Sequence, residues 1–151
     1  MKHLSERTAL FPGSFRPFTR GHSSIVERGL RLFDRVVIAV GINIDKDPEG
    51  HGAAEAVREI AALYAGEPRV EVISYRGLTV DAARDCGAEF LLRGVRSVKD
   101  FEYERDMADV NRKLSGLETV LLYSLPELSA VSSSVVRELE RFGADTREFL
   151  P

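Results

Sequence analysis

Little in this chain points away from an ordinary globular domain. It has one cysteine, no tryptophan and two methionines. A lone Cys86 cannot close an internal disulfide, which excludes the stapled scaffolds of small secreted proteins and suits a reducing cytoplasm. Long hydrophobic runs are missing: Val36 to Val40, with its flanking glycine, falls far short of a bilayer's thickness. Met1 to Arg7 mixes charged and polar residues and lacks the apolar centre of a secretion signal. Charge of one sign is missing too. With 21 Lys and Arg against 24 Asp and Glu, the net charge is −3, so bulk electrostatics gives no hold on nucleic acid. No repeat, low-complexity tract or linker interrupts the 151 residues. The expectation is one cytoplasmic domain, residues 1–151, with a real core and with neither membrane nor nucleic acid as partner.

What is present alternates. Apolar strand-like runs at Thr8–Phe11, Arg35–Gly41, Arg69–Ser74, Phe90–Arg93 and Thr119–Tyr123 are separated by helical patterns. The helices are predicted over 22–33, 54–65, 79–86, 98–115 and 132–142. Tyr103, Met107, Val110 and Leu114 fall at steps of four, three and four, which predicts one buried stripe on the fourth helix. Strands apolar throughout and alternating with helices imply a five-stranded parallel sheet covered on both faces, a doubly wound, Rossmann-like α/β fold. Residues 43–53 read as an exposed, mobile loop.

Such a fold puts its site at the carboxyl ends of the strands. Polar clusters recur there. Pro12-Gly13-Ser14-Phe15 and Thr19-Arg20-Gly21-His22 follow the first strand, a small-residue turn before a helix of the kind that holds phosphates. Lys46 follows the second strand, Gly77-Leu78-Thr79 the third, Arg93-Gly94-Val95-Arg96 the fourth, and Ser129 with Ser132-Ser133-Ser134 the fifth. Singly, each has a plainer reading. His22 can simply start a helix, Lys46 can be solvated, and Arg93 can pair with Glu102 or Glu104. The serines can cap a helix. Their recurrence at equivalent strand ends describes a rim of phosphate-binding groups.

These residues resemble one family. Pro12-Gly13-Ser14-Phe15, Thr19-x-Gly21-His22, Lys46, Arg93-Gly94-x-Arg96, Asp100-Phe101-Glu102-Tyr103-Glu104, Asn111-Arg112 and Val131-Ser132-Ser133-Ser134 together look like the phosphopantetheine adenylyltransferases. These are nucleotidyltransferases with a T-x-G-H or H-x-G-H signature, and the likeness runs nearly the whole length. It implies that ATP and 4′-phosphopantetheine give dephospho-coenzyme A and pyrophosphate by direct in-line attack, assisted by Mg²⁺. No covalent nucleophile is suggested, since Cys86 lies in a helical segment away from the strand ends.

The resemblance implies His22, Lys46 and Arg93 as the catalytic set. ATP would be held by Ser14, Phe15, His22, Gly94, Val95, Arg96 and Glu104, and by Leu128, Ser129, Ala130, Val131, Ser132, Ser133 and Ser134. The acceptor would meet Ser14, Lys46, Thr79 and Arg93. No side chain is implied as a metal ligand. A homo-oligomer, hexameric in the family, and feedback inhibition by coenzyme A are further implications. The alternatives are a related adenylyl- or cytidylyltransferase with another phosphate acceptor, such as nicotinate mononucleotide, and a nucleotide-binding module without catalysis.

The chain leaves the family pattern twice. Arg16 stands where Asp is usual, on the loop expected to approach the triphosphate, with its side chain either in solvent or adding a cation at the site. The loop lysine is usually followed by an aromatic residue and E-x-R, but here Lys46 leads into Glu49-Gly50-His51-Gly52.

Overall fold

A computed structural model describes residues 5–151, so the first four residues of the Met1–Arg7 stretch lie outside the described residues. In chain order it contains β1 (Thr8–Gly13), α1 (Arg20–Gly29), β2 (Arg35–Gly41), α2 (His51–Leu63), β3 (Val70–Tyr75) and α3 (Thr79–Asp85). There follow β4 (Phe90–Val95), α4 (Val98–Ser115), β5 (Glu118–Tyr123), a 3₁₀ turn at Pro126–Leu128, α5 (Ser133–Arg141) and a last 3₁₀ turn at Arg147–Phe149. The five strands form one parallel sheet in the order β3-β2-β1-β4-β5.

Alternate residues of the central strands feed two cores. Ala9, Phe11, Ile38 and Val40 pack with Val26, Ala56 and Ile60 of α1 and α2 on one face. Leu10, Val37 and Ala39 pack with Ala82 and Ala83 of α3 on the other. Both faces of β1 and β2 are thus closed, which is why Ala9 to Phe11 and Val36 to Val40 are apolar at successive positions. The chain steps from β1 out to β3, then crosses back to β4 on the far side of β1. That reversal leaves a crevice at the carboxyl ends of β1 and β4.

Several boundaries move from their sequence-based positions. Thr19 caps α1, which starts at Arg20 and ends at Gly29. Beyond it the chain tightens into i, i−3 bonds, Arg31 N–H to Arg28 O and Leu32 N–H to Gly29 O. Helix α2 begins at His51, because Gly50 takes a left-handed φ of 74° and lets the chain turn into it. Residues 43–50 fold back on themselves. Asn43 Oδ1 accepts the N–H groups of Asp45 and Lys46, and Asn43 O accepts that of Asp47. Strand β4 runs on through Gly94 and Val95, which pair with Leu122 and Tyr123, so Arg93 projects from within the strand.

The stripe expected on α4 is reversed. Tyr103, Met107, Val110 and Leu114 are 62%, 38%, 48% and 56% exposed, whereas Glu104 is 7% exposed. The face turned to the protein carries Asp100, Glu104, Ala108, Asn111 and Ser115. A helical period shows that one face is apolar, and here the ion pair of Glu104 with β4 turns that face outward.

Candidate active site

The turn leaving β1 is shaped by aromatic rings. Phe15 has a φ of 48°, rare for a residue with a side chain, and its ring is buried. A Cβ on Gly13 would stand 2.8 Å from that ring, so the strand can end this close to Phe15 only as glycine. Phe15 meets the His22 ring edge-on at 5.0 Å between centroids, and Phe18 lies 5.4 Å from it on another side.

His22 is oriented by its own helix start. Thr19 Oγ1 accepts the His22 N–H, and the Thr19 N–H donates to His22 Nδ1 at 2.9 Å, a reciprocal cap with histidine in the usual place of glutamate. A ring nitrogen that accepts a backbone N–H carries no proton, so the proton sits on Nε2. Burial, with Arg93 and then Arg96 nearby, lowers the His22 pKa to about 4. Near pH 7 the ring is therefore neutral. It offers a donor at Nε2 and has no free lone pair for a base.

Arg93 is the pivot of the site. Its Nε–H reaches both carboxylate oxygens of Glu104 at 2.9 and 3.0 Å, its Nη2 donates to Oε1 at 2.6 Å, and its Nη1 donates to Pro12 O at 2.6 Å. Of the two partners sequence allowed, Glu104 is the one, since Glu102 lies on the exposed side of α4. The five guanidinium donors are not exhausted by these contacts, and one on each terminal nitrogen remains.

Two cavities meet at this pair. One, of about 400 Å³, is lined by Phe15, His22, Gly94, Arg96 and Val131 to Ser134. The other, of about 280 Å³, is lined by Gly41, Tyr75, Thr79, Met107, Asn111 and Thr119. Pro12, Gly13, Ser14, Arg93, Tyr103 and Glu104 belong to both, so the Arg93–Glu104 pair is the partition between them.

The larger cavity ends on the start of α5. Ser132 caps that helix by accepting the Val135 N–H, while Ser133 donates to Pro17 O at 2.7 Å and ties α5 to the β1–α1 turn. The serine run is thus a cap, as its plainer reading holds, and it also lines the cavity where a helix's positive end points. Arg96 pairs with Asp100 at 3.5 Å on the rim. Gly94 lies under Ile25, where a Cβ would come within 3.0 Å.

Not every expected residue lines these cavities. Val95 is buried in β4, and Leu128, Ser129 and Ala130 lie in and just after the 3₁₀ turn, outside both linings. Lys46 is exposed on its turn and also lies outside both. Arg16 lies outside both cavities and is half-buried rather than free in solvent; its Nη2 donates to Asp47 Oδ2 at 3.0 Å.

Tyr75, Asn111 and Thr119 line the smaller cavity although the sequence assigned none of them to the site. Tyr75 ends β3, and its hydroxyl is 2.9 Å from Thr79 Oγ1. Thr119 Oγ1 is buried without a partner among the described residues. Asn111 had a signal, its place in the Asn111-Arg112 motif and two turns beyond Glu104 on one helix face. The other two carried none, because β3 and β5 are opposite edges of the sheet and only the packing of α3 and α4 over one face brings Tyr75 and Thr119 to the same cavity.

Comparison with known proteins shows the family. Residues 10–139 match the cytidylyltransferase-like family. A phosphopantetheine adenylyltransferase of Porphyromonas gingivalis is 54% identical over 148 residues, covering 98% of this chain and 96% of the relative. Those of Bacteroides fragilis and Leuconostoc citreum are 50% and 46% identical, covering 96% and 95% of this chain and 96% and 90% of the relatives. The crystal structure of a bifunctional NMN adenylyltransferase/ADP ribose pyrophosphatase from Francisella tularensis, complexed with AMP and a manganese ion, superposes with a TM-score of 0.65 at 14% identity. It covers 96% of this chain, which spans 44% of that longer one, and it shows the shared fold. The chain belongs to the cytidylyltransferase-like nucleotidyltransferases and, within them, to the phosphopantetheine adenylyltransferase family.

Proposed function

We infer that the two cavities flanking Arg93 take the two substrates of one adenylyl transfer, ATP in the larger and 4′-phosphopantetheine in the smaller. The chain is a pantetheine-phosphate adenylyltransferase, an enzyme of coenzyme A synthesis that forms dephospho-coenzyme A and pyrophosphate. The observation that carries the assignment of residues is the shared wall. Both cavities open on Arg93 and Glu104, and the larger also presents the neutral His22.

The chemistry fits these groups. A phosphate monoester is largely dianionic near pH 7, so the acceptor attacks without a base. One of its oxygens bonds to the α-phosphorus while the bond to the β-phosphate bridge breaks, and the electron pair leaves with pyrophosphate. His22 Nε2–H donates to the α-phosphate oxygen on which charge builds, and being neutral it keeps its proton throughout. The free donors of Arg93 hold the acceptor phosphate with Ser14, and Lys46 meets it from the rim. Tyr75, Thr79 and Asn111 line the pantetheine arm, while the first turn of α5 and Arg96 receive the β- and γ-phosphates.

Among the described residues, no group of three or more His, Cys, Asp or Glu could hold a metal ion. The Mg²⁺ expected from the family would arrive with the substrate, bound to the triphosphate as MgATP. Residues 1–151 serve as one nucleotidyltransferase domain. No helix among the described residues is long and apolar enough to cross a membrane, and a cytoplasmic location is the reading that fits the substrates. The exposed stripe of α4 is covered by further copies of this chain in a homo-oligomer, and coenzyme A competes for both cavities as a product-like inhibitor.

The test is pyrophosphate release from MgATP with 4′-phosphopantetheine or with nicotinate mononucleotide. Turnover is expected with the first alone; turnover with nicotinate mononucleotide alone would move the chain to another acceptor class.

A further inference from the structure

Arg16, the first place where this chain leaves the family pattern, makes contact with the loop that carries the second. Arg16, in the turn after β1, and Asp47, next to Lys46 in the turn after β2, are 31 residues apart and meet at 3.0 Å. Asp47 is the more buried partner, 12% exposed at its side chain. The same Oδ2 accepts the N–H of Ala53 at 3.1 Å, in the first turn of α2, where an acidic group is favoured. Burial would raise the Asp47 pKa, but the N–H groups of Ala53 and Gly52, then Arg16 and the His51 N–H, hold it below the usual carboxylate range.

Space is kept for this pair. A Cβ on Gly52 would stand 3.1 Å from Arg16 Nη2 and 3.3 Å from Asp47 Oδ2. The main chain of Arg16 is pinned separately, its carbonyl accepting from Arg137 Nη1 of α5 at 2.6 Å. Arg16 directly follows Phe15, whose ring packs on His22. One ion pair therefore joins the turn that encloses His22, the turn that carries Lys46, and the start of α2.

We propose that the Arg16–Asp47 pair is a latch that holds the Lys46 turn onto the turn enclosing His22, so that Lys46 reaches the acceptor phosphate from the rim, with both residues acting as positioning residues rather than as substrate ligands. The proposal rests on the reading that Lys46 meets the acceptor phosphate. It gives the reversed charge at position 16 a partner and separates it from the triphosphate. The loop sequence Lys46-Asp47 supplies the anion that the β1–α1 turn no longer carries.

The experiment compares Arg16→Gln, Asp47→Asn, their double variant and Arg16→Lys with the unaltered protein. It reads steady-state constants for MgATP and 4′-phosphopantetheine, and amide hydrogen exchange of the peptide spanning 43–53. Each of the first two variants should raise KM for 4′-phosphopantetheine about tenfold, the scale of one charge-assisted hydrogen bond, with KM for ATP within about twofold. Exchange over 43–53 should quicken in both, and the double variant should be no worse than the worse single. Arg16→Lys, the mildest change, should recover part of the loss. A rise in KM for ATP with unchanged exchange would make Arg16 a nucleotide ligand and overturn the latch. Additive losses, or unchanged constants and exchange, would overturn it too. If the unaltered protein does not turn over 4′-phosphopantetheine, the functional reading fails, and the exchange data still decide whether the pair holds the loop.

Discussion

Arg93 and Glu104 face each other across the gap between β4 and α4, with Nη2 and Oε1 at 2.6 Å and Nε between both carboxylate oxygens. The pair divides the two cavities and also ties the helix to the sheet. Its two duties predict two separable losses.

Removing Arg93 alone leaves a buried carboxylate without its partner, a defect worth about 3 kcal/mol. For a domain of this size that lowers the thermal midpoint of Arg93→Ala by roughly 6–12 °C. Arg93→Ala combined with Glu104→Ala should melt above Arg93→Ala alone, because no unpaired charge remains. Calorimetry should find 4′-phosphopantetheine weakened about ten- to a hundredfold by Arg93→Ala and ATP weakened less. A larger loss for ATP would put Arg93 in the other cavity.

His22→Ala should lower kcat strongly, roughly 10²–10³-fold, and leave ATP binding nearly intact, since a preorganised donor to the transition state is lost. Near-normal kcat with weakened ATP affinity would make His22 a binding residue.

Acid should reveal the same residue through stability. The folded His22 has a pKa of about 4, against 6.5 for an ordinary histidine. Between those values the unfolded chain takes up a proton that the folded chain does not. Stability linked to His22 is thus intact above pH 6.5 and declines as pH falls toward 4, by about 3 kcal/mol in all. Denaturant titrations at pH 7 and 5 should show a steeper acid loss for the unaltered protein than for His22→Gln. Equal losses would place His22 in a far wetter environment than its packing against Phe15 and Phe18 implies.

The apolar face of α4 predicts assembly. Sedimentation at micromolar concentration should give an oligomer, and Val110→Glu, on that face and outside both cavities, should shift it toward monomer with an unchanged circular dichroism spectrum. A monomer in the unaltered protein would leave the stripe without a second copy to cover it and would not touch the catalytic reading.

What the sequence by itself determined is local or periodic. The runs at Val36–Val40 and Leu91–Leu92 are apolar at successive positions because both faces of a central parallel strand are covered, and that alternation with helices is legible without coordinates. The spacing of Thr19 and His22 is that of a helix cap, three residues apart, so their reciprocal bonds follow from helix geometry. The tertiary structure decided the partnerships between distant segments. Periodicity marks an apolar face of α4 but not what covers it, and the Glu104 bond to Arg93 turned that face away from the sheet. Likewise Arg16 and Asp47, 31 residues apart along the chain, become one ion pair because adjacent parallel strands deliver their following turns to the same edge. Thr79 and Thr119 line one cavity although β3 and β5 are the two outer strands of the sheet, because the chain lays α3 and α4 together over one face, a placement no local pattern encodes.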